Sequence, residues 1–297
     1  MKKKILIFGK YGQLARSLKK YLVIQNVTIK FLSSTKCNFE YYENIHKIID
    51  KFSPNIIINC SAYTNVEKAE IEKKKCNLIN NIAVKKIAEL CEIKKIFLIH
   101  FSTDYIFNSL KMLPIKENTN PDPLNYYGKS KLSGEKVILG SKCNYLILRI
   151  SWTYSIYGKN FVKFIISKLN KGQSVNIVND QYGCPTNLDF VSKIVVVFSK
   201  LILGKKIFRS KIVNISHNGE TNWYNFAKTI QKYFYPNIKK KLIYSISSKN
   251  FKSKAKRPKY SKLSNKKVKS MLKIKFYNWQ FYLKKFLIKN EFKLRNL

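Results

Sequence analysis

The sequence has 297 residues, 45% of them hydrophobic, which is enough for one large α/β unit or two coupled lobes. Its formal net charge of +42 comes mostly from lysine scattered along the chain, with one dense basic stretch near 247–270. Because Ile, Asn, Phe and Tyr are also abundant, we attribute the charge to A/T-rich codons and expect no specific nucleic-acid partner. No apolar run could cross a bilayer and the apolar start is too short for a signal peptide, so we expect no membrane association and a cytoplasmic location.

The six cysteines and three histidines are dispersed, with no Cys-x-x-Cys pair and no zinc-type spacing. Free and mostly buried thiols in a reducing compartment are the simplest interpretation. We therefore predict neither a disulfide framework nor a metal site.

The first half of the chain alternates buried strands with helices. Helical spacing of leucines follows the first strand, and a further helix carries the segment "NYYGKSKLSGE". This alternation predicts an α/β fold with a doubly wound parallel sheet, the Rossmann type, whose ligands bind beyond the carboxyl ends of the strands. The predicted strands are 3–8, 27–32, 55–60, 95–103 and 144–151, and other helices are predicted at 45–52 and across 76–91.

The second half is less periodic. It contains a predicted helix at 160–172, a strand from 174 that leads into a turn-rich loop, an apolar helix at 189–203 and a strand at 211–216. We predict a dinucleotide-binding domain at 1–150, completed by about 187–216. Residues 151–186 and 217–297 are predicted to form a smaller C-terminal substrate-binding lobe.

A glycine turn follows the first predicted strand. The segment "GKYGQLA" places Gly9, Gly12 and Ala15 where a buried strand gives way to a helix. Glycines at such a junction let the backbone approach a pyrophosphate, and the helix N-terminus offers free N–H groups. The segment predicts a dinucleotide site.

The end of the second strand bears on which dinucleotide is bound. An acid there would favour NAD by its ribose hydroxyls, but "FLSSTKCNF" has none. Ser33, Ser34 and Lys36 could instead meet a 2′-phosphate. This favours NADPH over NADH, although lysine is common throughout the chain.

A phenol and an ammonium lie four residues apart in "NYYGKSKLSGE", as Tyr127 and Lys131. The spacing alone is weak evidence, because the chain is rich in both residue types. Thr103, at the end of the fourth predicted strand, strengthens it. A ketone reduced by hydride needs a proton donor, a phenol needs a nearby cation to act as one, and a hydroxyl can orient the carbonyl. These three residues therefore predict a catalytic unit.

The glycine turn, the hydroxyl at the end of the fourth strand and Tyr-x-x-x-Lys together resemble the extended short-chain dehydrogenase/reductase superfamily. Further segments resemble, within it, the dTDP-4-dehydrorhamnose reductase family, from the N-terminus to about Leu263 and more loosely to Trp279. They are "NCSAYTNVEKAE", "HFSTDYIFN", "PLNYYGKSKLSGE", "ILRISWTY", "NDQYGCPT", "NGETNWYNFA" and "RPKYSKL".

The resemblance implies NAD(P)H-dependent reduction of the 4-keto group of dTDP-4-dehydro-β-L-rhamnose, the last step of dTDP-L-rhamnose synthesis. It makes Tyr127 the proton donor and Lys131 its electrostatic partner, both also touching the cofactor. By motif position, the other implied cofactor contacts are Gly9, Gly12, Gln13, Leu14, Asn38, Phe39, Ala62, Tyr63 and Thr64, and the implied substrate contacts are Thr103, Asp104, Val66 and Trp152.

Two departures from the family pattern affect these expectations. Asn38 stands where the family often has Asp, which would alter the adenine contact. Ser17 stands in the first helix where some members carry a glutamate that binds magnesium at a dimer interface. A magnesium site is therefore not expected, and either a monomer or a homodimer is compatible with the sequence.

Three alternatives stay open at this point. The nearest is another reductase or epimerase of the same superfamily acting on a different nucleotide sugar, which should lack "NDQYGCPT" and "NGETNWYNFA". The second is a non-catalytic nucleotide-binding regulatory subunit, against which the Thr103, Tyr127 and Lys131 set argues. The third is a basic nucleic-acid-binding protein, which would have no use for the glycine turn.

Overall fold

A computed structural model of the chain describes residues 2–109, 111–204, 210–238 and 240–297. The strands are β1 Lys3–Phe8, β2 Val27–Leu32, β3 Ile56–Asn59, β4 Phe97–Thr103, β5 Tyr145–Ile150, β6 Thr153–Tyr154, β7 Val175–Val178, β8 Tyr182–Gly183, β9 Thr186–Asn187, β10 Lys211–Ile215, β11 Thr221–Asn222 and β12 Ile243–Ile246.

The helices follow most of the predicted boundaries within one or two residues. They are α1 Gln13–Tyr21, α2 Ile45–Phe52, α3 Val66–Ala69, α4 Lys73–Asn77, α5 Ala83–Ile93, α6 Tyr126–Leu139, α7 Phe161–Asn170, α8 Leu188–Leu203, α9 Trp223–Phe234, α10 Lys266–Leu272, α11 Trp279–Lys289 and α12 Glu291–Arg295, with 3₁₀ turns at Phe39–Asn44, Asp104–Ile106 and Ser248–Asn250.

Six parallel strands form the central sheet in the order β2-β1-β3-β4-β5-β10. The doubly wound parallel sheet predicted from the alternating pattern is confirmed. The order reverses between β1 and β3, so the connections from these strands leave in opposite directions. A crevice opens there at the carboxyl ends of the strands, which is where open α/β sheets bind ligands.

Helices cover both faces of the sheet, which explains the nearly continuous apolar strands. Alternate residues of β1 point to opposite faces: Ile5 and Ile7 pack with α1 and α8, and Leu6 and Phe8 with α2 and α5. The apolar helix α8 packs along α1 and, with β10, extends this core.

A third apolar core lies outside the sheet, between α7, α9 and α11. Its members include Tyr154, Phe226 and Trp279, whose rings meet in tilted or edge-to-face contacts. Short two-stranded pairings, β7 with β12, β8 with β11 and β6 with β9, complete this part of the chain. Val268 of α10 packs back against the sheet core. Within the described ranges, no helix is long and apolar enough to span a bilayer.

Candidate active site

Two adjoining cavities lie at the carboxyl edge of the sheet. One has a volume of about 590 Å³ and the other about 270 Å³, and Tyr11, Gly12, Cys60 and Ala62 line both. Of the residues predicted from the sequence, the larger cavity is lined by Gly12, Gln13, Leu14, Ala62, Thr64, Val66, Thr103, Asp104, Tyr127, Lys131 and Trp152, and the smaller by Gly9, Gly12, Asn38, Phe39 and Ala62.

The glycine turn borders both cavities. Gly9 has a φ of +87°, and a Cβ atom there would stand 2.9 Å from the Cys60 carbonyl and the Ser61 nitrogen. Gly12 precedes α1, whose first turn carries no acid. The glycines therefore let this turn pack directly against the backbone after β3, with the N-terminus of α1 beside the larger cavity.

The Gln13 side chain fastens a loop over the larger cavity. Its Nε2 donates to the Lys159 carbonyl at 3.0 Å, and its Oε1 accepts from Asn160 at 3.0 Å and from the Ser155 hydroxyl at 3.2 Å. Lys159 and Gly158 of this loop line the cavity. Gln13 thus holds the loop 155–160 in place.

The smaller cavity is bounded by the turn that follows β2. Asn38 caps this turn by accepting from the Glu40 N–H at 3.0 Å, and Phe39 is buried edge-on against Phe8. Glu40 also lines the cavity, and its carboxylate is paired with Lys75 at 3.0 Å. This acid, two residues past Asn38, follows directly after the segment "FLSSTKCNF".

Tyr63 differs from the other predicted site residues. Its side chain lies in a buried cluster with Ala69 and Cys76, and its hydroxyl donates to Glu72 at 3.0 Å. Its backbone is held in both directions by Asn80, which lies in a π-helical turn, Leu78–Ile82, between α4 and α5. The structure therefore brings its backbone, rather than its ring, beside the cavities.

Polar side chains gather where β4 ends. The Thr103 hydroxyl donates to Asp104 Oδ1 at 3.0 Å and accepts from the Tyr105 N–H at 3.2 Å. Burial raises the pKa of Asp104 to about 6, against the hydrogen bond from Thr103. Among the described residues, Ser102 Oγ and Asp104 Oδ2 are buried without a hydrogen-bond partner. Both residues line the larger cavity, where a bound hydroxyl would satisfy either atom.

Helix α6 brings Tyr127 to the same cavity. Asn125 caps the helix by accepting from the Gly128 N–H at 2.8 Å. The Tyr127 ring meets Tyr105 edge-on, with centroids 5.7 Å apart. Burial raises the pKa of Tyr127 well above its ordinary value, and a hydrogen bond with Thr103 opposes this. In the absence of a further charge, the phenol holds its proton firmly.

Lys131 lies one turn further along α6 and is 3% exposed. Its Nζ donates to the Phe101 carbonyl at 2.7 Å and lies 3.3 Å from His100 Nε2. Burial lowers the pKa of Lys131 to about 8, although the nearby Glu135 charge acts in the opposite direction. The amine can therefore gain and lose a proton near neutral pH.

Glycines bring α6 into direct backbone contact with its neighbours. A Cβ atom on Gly128 would collide with the Tyr105 carbonyl oxygen, and one on Gly134 with the Asn80 carbonyl oxygen. The helix that carries the Tyr-Lys pair thus packs closely against both the 3₁₀ turn after β4 and the π-helical turn.

Trp152 lines the larger cavity. Its φ of +45° is unusual for a bulky residue and typical of strained functional positions. The indole stacks on Trp223 at 3.6 Å and donates to Ser261 Oγ at 3.2 Å. A Cβ atom on Gly183 would stand 2.5 Å from this indole, which explains the glycine in "NDQYGCPT".

Several residues at the site were not identified from the sequence. Beyond the Trp152–Trp223 stack lies a third cavity of about 360 Å³, lined by Tyr105, Phe161, Gln181 and Arg257 among others. Trp223 and Arg257 belong to the segments "NGETNWYNFA" and "RPKYSKL", which resemble the family. The resemblance of these segments indicates the region of the site but not which of their residues line it.

Arg257 also ties the two sides of the cleft together. Its Nη2 donates to Glu67 at 2.6 Å, and the same carboxylate accepts from Ser253 Oγ at 2.7 Å and from the Lys254 N–H at 2.8 Å. Glu67 lies on α3, directly after Val66. Partial burial opposes ionisation, but the Ser253, Lys254 and Arg257 contacts together lower the pKa of Glu67.

The cysteines and Ser17 of α1 bear on the predictions about disulfides and metal sites. All six cysteines are free thiols, and five of them are buried; Cys60 is partly exposed. Ser17 is fully buried in α1. Within the part of the chain that the structure describes, no group of three or more His, Cys, Asp or Glu side chains could hold a metal ion.

Known proteins resemble the chain along nearly its whole length. The family model described as the RmlD substrate binding domain matches residues 2–292. A dTDP-4-dehydrorhamnose reductase of Sinorhizobium fredii is 32% identical over 281 residues, 93% of this chain and 94% of the relative. One from Aggregatibacter actinomycetemcomitans is 33% identical over 95% of this chain and 97% of its own length. The structure of dTDP-4-dehydrorhamnose reductase from Bacillus anthracis in complex with NADP superimposes with a TM-score of 0.89 at 30% identity, covering 97% of this chain and 100% of that one.

Proposed function

This chain belongs to the dTDP-4-dehydrorhamnose reductase family, and from that premise we propose how its cleft works. The reaction is the NAD(P)H-dependent reduction of the 4-keto group of dTDP-4-dehydro-β-L-rhamnose to dTDP-L-rhamnose. One observation carries the proposal: Tyr127, Lys131, Thr103 and the glycine turn at Gly12 line a single cavity of about 590 Å³.

Tyr127 is the proton donor to the sugar oxygen. Burial keeps the phenol of Tyr127 protonated, so the group is available as an acid. The phenolate that remains after proton transfer needs a nearby positive charge to stabilise it. The Lys131 ammonium, one turn along α6, supplies the opposite charge. A bound nicotinamide dinucleotide would supply the hydride for the carbonyl carbon.

Thr103 and Asp104 orient the sugar. Their side chains lie at the end of β4 in the same cavity, and the buried Asp104 Oδ2 lacks a partner within the described structure. A sugar hydroxyl would satisfy that oxygen. Val66 and Trp152 supply the apolar wall that suits the methyl group of a 6-deoxysugar.

The cofactor contacts are divided between the two cavities. Gly9, Gly12, Gln13 and Leu14 surround the place of the pyrophosphate, and Asn38 and Phe39 bound the smaller cavity that takes the adenine. Ala62, Thr64 and the backbone of Tyr63 flank the dinucleotide. Ser34 and Glu40 both face the adenine side, so the residues fit NADPH or NADH.

We also propose a two-lobe division of labour. The sheet and its helices, 1–150 with 187–216, hold the dinucleotide, and 151–186 with 217–297 hold the sugar nucleotide. The separate apolar core around Phe226 supports this division. The six free thiols support a reducing compartment, which we propose is the cytoplasm. The sequence leads us to expect a monomer or a homodimer that binds no magnesium.

The test is oxidation of NADPH and NADH with the dTDP-ketosugar, comparing wild type with Tyr127→Phe. We expect the variant to lose about 10²- to 10⁴-fold in kcat, the usual contribution of a positioned acid, while still binding dinucleotide. The control is Tyr126→Phe, the neighbouring tyrosine, whose ring lies near Lys73; it should keep its activity.

Normal turnover by Tyr127→Phe would refute the assigned role. A wild type that binds dinucleotide but reduces no dTDP-ketosugar would instead favour a regulatory subunit. Turnover or epimerisation of a different nucleotide sugar would favour another member of the superfamily.

A further inference from the structure

A buried chain of polar side chains lies behind Lys131. His100 and Asn59 are register partners on the adjacent strands β4 and β3, and both are at most 1% exposed. His100 Nε2 lies 3.3 Å from Lys131 Nζ, and His100 Nδ1 lies 3.2 Å from Asn59 Nδ2. The roles proposed above for Tyr127, Thr103 and the cofactor do not use this chain.

One backbone N–H group determines the direction of the hydrogen bonds among Asn59, His100 and Lys131. The Ser61 N–H donates to Asn59 Oδ1 at 3.0 Å, so the amide oxygen must face Ser61. The Asn59 NH₂ group then faces His100, and an NH₂ group can only donate. His100 Nδ1 is therefore an acceptor, and the single proton of a neutral imidazole is on Nε2.

That proton is directed at Lys131. Nζ can accept it only as an amine, with its remaining hydrogens on the Phe101 carbonyl and in the cleft. An ammonium at this position would instead face an N–H bond. We propose that His100, oriented by Asn59, is a positioning residue that weakens the hold of Lys131 on its third proton.

Other charged groups around Lys131 do not replace this effect. Tyr127 and Glu135 lie on its own helix, Cys76 on α4 and His100 on β4. Glu135 is engaged by Arg149 through two hydrogen bonds, at 2.9 and 2.6 Å, and burial raises the pKa of Cys76. Burial, followed by the Lys131 charge, holds the pKa of His100 well below its ordinary value, so the imidazole stays neutral.

The consequence for the reaction is an upper pH limit, an inference that rests on the proposed function. Reduction needs Lys131 as an ammonium, because that charge stabilises the Tyr127 phenolate. Since the pKa of Lys131 is lowered to about 8, the ammonium is lost as pH rises through that value, and turnover falls with it. His100 helps to place this limit near neutral pH instead of near the ordinary lysine value.

Asn59→Asp reverses the direction of the hydrogen bonds from residue 59 through His100 to Lys131, without changing the shape of the side chain. One carboxylate oxygen keeps the Ser61 N–H, and the other accepts from His100 Nδ1, which moves the imidazole proton off Nε2. Nε2 then becomes an acceptor for a Lys131 ammonium. We expect the basic limb of the kcat/KM profile to move to higher pH by about one unit or more.

Nitrogen NMR of the imidazole rings tests the chain without any turnover. The protein has three histidines, so His100→Gln assigns the signal. We expect the Nε2–H tautomer in wild type and the Nδ1–H form in Asn59→Asp. Asn222→Asp, at a buried asparagine whose Oδ1 caps α9, is the matched control and should change neither the tautomer nor the pH limit.

The outcomes separate the two proposals. An Nδ1–H tautomer in wild type, or a basic limb that does not move in Asn59→Asp while the tautomer does, overturns the role of His100. A wild type with the expected tautomer but no activity on the dTDP-ketosugar overturns the proposed function instead.

Discussion

Lys131 on α6 and Arg149 on β5 are both buried basic side chains, 3% and 2% exposed. Different groups surround them. Arg149 forms a two-pronged ion pair with Glu135, donates to the Glu117 carbonyl at 2.9 Å and lies over the Phe107 ring. Lys131 faces a carbonyl and an imidazole. The Arg149 site has a carboxylate within bonding distance, and the Lys131 site has none among the described residues.

The difference separates a stabilising site from a reactive one. A guanidinium paired with a carboxylate stays charged, and breaking the pair leaves a buried charge uncompensated. An amine held by neutral groups can give up its proton, which weakens its contribution to the fold and makes it useful for proton chemistry. Changing each site should therefore affect different measurements.

The largest expected effect is on catalysis. Lys131→Met removes the charge that stabilises the Tyr127 phenolate, so we expect kcat to fall by about 10³-fold. Lys129→Met, an exposed lysine on the same helix, is the control and should leave kcat unchanged. Equal losses in both variants would mean that the net basic charge, rather than this site, matters.

The same Lys131→Met variant should not lose stability. Because the native pKa of Lys131 lies below that of the unfolded chain, the native state of wild type carries a charging penalty below pH 8, which disappears as pH rises toward 10.5. We expect the variant to melt at a higher temperature than wild type at pH 7, with the difference shrinking at pH 10. A lower melting temperature at pH 7 would mean that Lys131, like Arg149, stabilises the fold.

Glu135→Gln tests the other cation. It leaves Arg149 buried without its carboxylate, and we expect the free energy of unfolding to fall by about 3–5 kcal/mol in urea titrations. Glu291→Gln, which breaks the exposed pair with Arg295 at 2.7 Å, is the control and should cost less than about 1 kcal/mol. Adding Arg149→Met to Glu135→Gln should restore part of the loss, because the unpaired charge is gone.

The smallest effect is expected at Glu67. Its carboxylate side chain is 39% exposed and its pair with Arg257 is only partly shielded from solvent. We expect Glu67→Gln to lower the free energy of unfolding by about 1 kcal/mol or less at pH 7, measured by urea titration. Because the pKa of Glu67 is lowered, this contribution should vanish as pH falls through it. A loss as large as that of Glu135→Gln would show that burial does not determine how much each ion pair contributes to stability.

The sequence predicted the sheet better than the cleft. Strands such as Lys3–Phe8 and Val27–Leu32 were predicted to the residue, because buried parallel strands are continuous apolar runs that end at glycine or polar residues. The glycine turn and the Tyr127–Lys131 spacing are also local patterns. Each can be read within one short segment.

What escaped prediction depends on contacts between distant segments. Asn59 and His100 meet only because β3 and β4 pair in one register, and Trp152 meets Trp223 across 71 positions of sequence, as their numbers show. Tyr63 belongs to a recognised motif, but its ring turns toward Glu72. A linear pattern gives the position of such a residue but not the direction of its side chain.

The glycines of helix α6 have a mechanical consequence. At Gly128 and Gly134 the helix rests on the main-chain oxygens of Tyr105 and Asn80, with no side chain between them that could change rotamer. Main chain against main chain cannot yield as interdigitated side chains do. Tyr127 and Lys131 are thus held on a rigid helix. We expect structural changes elsewhere in the fold to move their reacting atoms only if they displace the whole helix.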